Sequence, residues 1–110
     1  MALEIAERDW KRWRQLTPIL LNRFCEGIVR KAATFLDSPG SGHEQFLALH
    51  GFLGDANRDV ARVFDNPRRS TALLQIAAAV SLGILTREEL ASFSEELRGR
   101  VEAIVGIGVG

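Results

Sequence analysis

The sequence predicts an all-α fold: a compact antiparallel bundle of five to six helices around an apolar central helix at about residues 67–82. Three observations carry this. Apolar residues recur at intervals of three and four over most of the chain, the period that lines one side of an α-helix. Start and stop signals stand between these runs: two capping boxes, Ser41/Glu44 and Thr86/Glu89, and prolines at 18, 39 and 67. No window of β-branched and aromatic residues alternates between turn signals as a strand would.

Leu3, Ala6, Trp10 and Trp13 are spaced three, four and three, one stripe of a first helix over about 3–16. Thr17-Pro18 has two readings. It is an N-cap followed by proline at the first helical position, or a kink within one long helix. The second helix, about 18–37, carries Leu20, Leu21, Phe24, Ile28, Ala32, Phe35 and Leu36. Residues 37–42 (DSPGSG) concentrate helix breakers and read as a loop. From the Ser41/Glu44 box a third helix runs through Asp65, with Phe46, Leu49, Leu53, Ala56, Val60 and Val63 on one side. Inside it, Gly51 and Gly54 each cost about 1 kcal/mol relative to alanine. They either admit a neighbouring helix or mark a break, and a continuous helix is expected.

Asn66-Pro67 ends that helix. The fourth, about 67–82, enters the stretch TALLQIAAAVSLGIL, whose only long polar side chain is Gln75. A helix apolar all round needs neighbours all round. Gly83 suits the left-handed position after its end, with Ile84 touching the last turn. The Thr86/Glu89 box opens a short helix with Leu90 and Phe93 inward, and Ser94 caps a last helix bearing Leu97, Val101, Ile104 and Val105. Gly106, Gly108 and Gly110 alternate at the end, an entropic cost that predicts a flexible apolar tail at about 106–110.

At 110 residues the chain reads as a single helical domain, 1–110. A hydrophobic share of 46% with 25% charged residues argues against disorder. Fourteen basic and fourteen acidic residues cancel, which leaves no global field to draw in nucleic acid or an anionic membrane. The single cysteine, Cys25, excludes an internal disulfide and a multi-cysteine zinc site. No apolar run is long enough to cross a bilayer, and no signal peptide precedes Glu4, Glu7, Arg8 and Asp9, so a cytoplasmic location is expected. Twelve arginines against two lysines fit translation from a GC-rich bacterial genome.

No reactive constellation emerges. His43 and His50 lie about 10 Å apart along a helix, and neither has a carboxylate or thiol four residues away with which to share an ion. Cys25 sits mid-helix beside the apolar stripe, where a structural thiol is expected rather than a nucleophile. Phosphate-binding and nucleophile-elbow motifs are missing. Asp55 and Asp59, four apart, project from one helix face, and a metal-dependent enzyme built on them is a second alternative. The interleaved Arg58 and Arg62 favour ion pairs on a solvated face, worth roughly a few tenths of a kcal/mol each. No catalytic residue, metal, cofactor or small-molecule substrate is inferred.

Two cationic patches remain. From Arg8 to Lys31 seven basic residues meet two acidic ones, and residues 10–14 (WKRWR) interleave rings with cations, as in single-strand binders. A nucleic-acid-associated regulator working through Arg8, Lys11, Arg12 and Arg14 is the first alternative function. The same tryptophans continue the stripe of Leu3 and Ala6, which favours a place in the core or at a dimer interface. Arg58, Arg62, Arg68 and Arg69 form the second patch, with Arg68 and Arg69 set against the positive end of a helix dipole. A helix-turn-helix through Ala79, Gly83 and Ile84 fails, because it puts Glu89 and Ser92 at positions that need buried apolar residues and turns Glu88 and Glu89 toward phosphate.

Partner binding is what the sequence favours most. The apolar fourth helix, the tryptophan pair and the apolar tail exceed what so small a bundle buries easily, and surplus apolar surface marks an interface. The competing reading places helix four and both tryptophans in one monomer core. The expected protein is a non-enzymatic helical interaction module, homodimeric, a small bacterial-type adaptor or regulator. Trp10, Trp13, Arg12, Arg14, Arg68 and Arg69 are the expected partner-binding residues, the partner being a second copy of the chain or another protein.

Overall fold

The computed structural model describes residues 4–109, with side chains to residue 106. Five α-helices pack against one another, and the described residues contain no strand. They are α1 (Glu7–Ala33), α2 (Gly42–Phe64), α3 (Ala72–Ser81), α4 (Arg87–Ala91) and α5 (Glu95–Val109), with a 3₁₀ turn at Thr34–Asp37 after α1.

The first two expected helices are one. α1 runs through Pro18 without a break. Proline cannot donate to the Arg14 carbonyl one turn back, and the Thr17 hydroxyl takes up that acceptor at 3.3 Å. The expected stripe is also rotated. Leu3 lies outside the described residues, and Ala6 is an exposed N-cap in extended conformation. Ile5, Asp9, Trp13, Leu16 and Leu20 are the buried positions at this end of the chain.

α2 begins on the Ser41/Glu44 capping box and is continuous to Phe64. Its glycines admit no helix of this chain: a Cβ at Gly51 or Gly54 would meet nothing within 4 Å. α3 starts at Ala72, five residues later than proline at 67 suggested. Thr71 and Arg68 close a turn ahead of it, the Thr71 amide donating to the Arg68 carbonyl at 3.0 Å and the Arg68 amide to the Thr71 hydroxyl at 3.2 Å. Arg68 and Arg69 therefore precede the helix instead of opposing its dipole from within the first turn.

The end of α3 is a Schellman motif. Ile84 N–H donates to the Ala79 carbonyl and Gly83 N–H to Val80, with Gly83 at φ 72°. Thr86 and Glu89 form the second capping box. Ser94 caps α5, its hydroxyl accepting from Leu97 N–H at 3.2 Å. α5 then continues to Val109, through glycines expected to end it. Extending an existing helix costs far less than starting one, and Ile104 and Val105 pack against the core just before the first of those glycines. Gly110 lies outside the described residues.

α3 is the centre. Ala72, Leu73, Ile76, Ala77, Ala78 and Ala79 are buried, and the short alanine side chains let α5 lie close with Leu97 and Val101. Gln75, buried in the same helix, donates to the Asp65 carbonyl at 2.8 Å and so ties α3 to the end of α2. The molecule is nevertheless long, 51 × 29 × 24 Å. Its radius of gyration is 16.4 Å, against roughly 13 Å for a compact chain of this length. Every buried side chain lies before residue 21 or after residue 55. Residues 21–55, the distal halves of α1 and α2 and the turn between them, form a helical hairpin that projects from the packed body.

Candidate functional site

The expected partner-binding residues all sit on the body, and they do not form one surface. Trp13 is fully buried, so its ring offers a partner nothing. Trp10 is half-buried and packs against the core with Arg14 over its ring at 5.8 Å. The Arg12 Nε donates to the Ser92 hydroxyl at 2.8 Å and the Arg69 Nε to the Ile5 carbonyl at 2.6 Å, so both cations hold the chain together. Arg68 stands exposed at the turn before α3. The interleaved WKRWR segment is thus divided between core and rim, with Trp13 out of reach of a stacking base and Trp10 partly exposed.

The exposed apolar surface lies on the hairpin. Its helices face one another through Phe24, Ile28 and Phe35 on one side and Gln45, Leu49 and Phe52 on the other, all half-buried. Phe35 and Phe52 meet with ring centroids 5.4 Å apart, and the Gln45 amide donates to the Ser38 carbonyl at 2.6 Å. Each residue along a helix turns by about 100°. In two antiparallel helices, the residues immediately after the facing positions therefore project to the same open side. Here they are Cys25, Val29 and Leu36, then Phe46, His50 and Leu53. None carries a formal charge with histidine neutral. Val29 is 68% exposed, Leu36 78%, Phe46 60% and Leu53 42%. Phe46 and His50 stack at 6.0 Å along this face, and exposed Leu47 borders it.

The signal for this face was in the sequence as apolar doublets: Ile28-Val29, Phe35-Leu36, Phe46-Leu47 and Phe52-Leu53. In three of these doublets the first residue joins the two helices, whereas Phe46 and Leu47 are both exposed. The second residue widens the apolar stripe by a further 100° or so, past what a two-helix contact covers.

The opposite side of the hairpin is charged. There a groove of about 350 Å³ runs along the hairpin base, floored by Phe24, Ile28 and Phe52 and closed by Leu82–Ile84 from the body. Arg23 and Lys31 stand on its rim with Asp55 and Asp59. Three of these four are engaged within the chain. Arg23 meets both Glu89 oxygens, at 3.0 and 2.7 Å, and the Ile84 carbonyl at 3.2 Å. Asp55 pairs with Arg58. The Lys31 ammonium lies 5.9 Å over the Phe52 ring. Asp55 and Asp59 do share one rim, as their spacing implied, but among the described residues no three His, Cys, Asp or Glu side chains converge on a common point. Cys25 is a half-buried free thiol.

No family model matches the chain, and no curated protein or solved structure matches it either.

Proposed function

We propose that this all-helical protein is a non-enzymatic interaction module, a small cytoplasmic adaptor or regulator of bacterial type that works as a homodimer. One observation carries the reading: the uncharged face of the projecting hairpin, where Val29, Leu36, Phe46 and Leu53 stand in water. Single exposed apolar side chains are ordinary, but four large ones on one side of an otherwise thin element are the kind of surface that partners cover. The body supports the same reading, because it packs without help from the hairpin face and needs nothing from it for its own core.

Sedimentation velocity over roughly 1–100 µM tests this, a range that spans ordinary homodimer affinities. The expected result is a concentration-dependent shift from monomer to dimer. A monomer throughout that range would remove the homodimer reading.

A further inference from the structure

We propose that a cationic groove on the body, lined by Arg8, Lys11, Arg12 and Gln15 of α1, binds a phosphomonoester group. The site is separate from the hairpin face and does not depend on the homodimer reading.

The four residues fall at i, i+3, i+4 and i+7, so one face of the helix presents them all. Ser92, the C-cap of α4, completes the lining of a groove of about 450 Å³. Small-ligand sites run from about 300 to 1,000 Å³. Arg12 is the fixed member. It is half-buried, its Nε donates to the Ser92 hydroxyl at 2.8 Å, and that hydroxyl donates to the Glu89 carbonyl at 2.5 Å. A guanidinium carries its donors in a rigid fork. With Nε anchored, the two terminal amino groups are held in place, and they have no partner among the described residues. Arg8 and Lys11 stand exposed beside it, also without a partner among the described residues. Glu7 is the one carboxylate of the lining, and it pairs with none of the three cations. Cations gathered on one helix face without a counter-charge repel one another, a local cost that a bound anion removes.

Charge and donor geometry select the ligand. Three cations against one carboxylate leave an excess of two positive charges in the lining. A phosphomonoester carries about −1.5 to −2 at pH 7, with three strong acceptor oxygens. A carboxylate or a phosphodiester carries a single charge. A fixed guanidinium fork with a second guanidinium and an ammonium beside it suits the dianion best. Ala6, the N-cap of α1, brings no side-chain acceptor, so the positive end of the helix dipole adds to the same field. A nucleic-acid strand fits less well, because its successive phosphates need a track of cations. Arg14, the next cation along α1, lies over the Trp10 ring and outside the groove.

Titration of the isotopically labelled natural chain with phenyl phosphate, followed by NMR, tests the proposal. Saturable shifts centred on Arg8, Lys11, Arg12 and Ser92 are expected, with a Kd of about 1 mM or tighter. Methyl phenyl phosphate, the matching diester, should bind about fivefold more weakly or worse. Arg12→Gln should weaken phenyl phosphate about tenfold and Lys11→Gln about threefold. Lys11 is exposed and unpaired among the described residues, so its variant keeps the fold even if loss of the Ser92 tie harms Arg12→Gln. Arg62→Gln, which alters an exposed cation of α2, should change nothing. Competition by glycerol phosphate or by a phosphoserine tripeptide tells a free metabolite from a phosphorylated protein, and either meets the expectation. The absence of a saturable response up to about 20 mM would overturn the proposal. So would equal binding of the diester, or a loss in Lys11→Gln no greater than in Arg62→Gln. Tighter binding of a single-stranded oligonucleotide than of the monoester would overturn it in favour of a polymer.

Discussion

Two residues show how much of this fold hangs on charges reaching across helices. Asp9 reads in sequence as one of several surface charges at the start of the chain. In the structure it is buried, and its two oxygens accept from the Ser94 amide at 2.8 Å and the Ser94 hydroxyl at 2.6 Å. The residue that caps α5 is itself held by α1. Glu89 is fastened likewise: it closes the box at Thr86 and meets the Arg23 guanidinium from α1. That hydrogen-bonded contact with Arg23 is the main reason its carboxyl titrates at about 2 rather than 4.5, desolvation opposing it and the Thr86 bonds assisting. The folded value lies below the unfolded one, so the contribution is complete above about pH 4.5 and is lost as pH falls toward 2. Glu89→Gln should lower stability near neutral pH and flatten the acid limb of the stability curve in that window. Denaturant titrations at a series of pH values check this; an acid limb as steep as that of the natural chain would count against the pairing.

At the scale of elements, the caps and stops behaved as local chemistry demands. Both capping boxes form, and Gly83 takes the left-handed turn that ends α3. Local signals failed where a neighbour intervened. Pro18 does not end α1, because Thr17 takes the orphaned carbonyl and Trp13, Leu16 and Leu20 hold both halves against one body. The glycines of α2 are equally instructive. Their backbone freedom is an expense that no close approach within the chain repays, since the space above both is open. Gly51→Ala should therefore raise stability by about 0.5–1 kcal/mol. Thermal denaturation measures it, and a loss of stability would mean that another surface does press on this position.

For the whole molecule, packing is uneven. A body built on α3 excludes water, and a hairpin of residues 21–55 does not. Local stability should follow this division. In dilute protein, amides of α3 should exchange with solvent only through global unfolding, while those around the 3₁₀ turn exchange through local opening. Hydrogen exchange read by mass spectrometry distinguishes the two. Equal protection in hairpin and body at the lowest concentration would show that the hairpin draws stability from a source other than a partner.

By itself the sequence determined the helical class, the place of most helix ends, and the central position of the apolar fourth helix, because capping and periodicity are set by residues a few positions apart. It also contained the apolar surplus. Where that surplus lies was decided only in three dimensions. The tryptophans looked like surface in excess, yet Trp13 is buried in the one hydrophobic core, and the surplus emerges on the hairpin. Each apolar residue sits on a helix with more than one side, and only the packing of the other helices settles which side is left facing water.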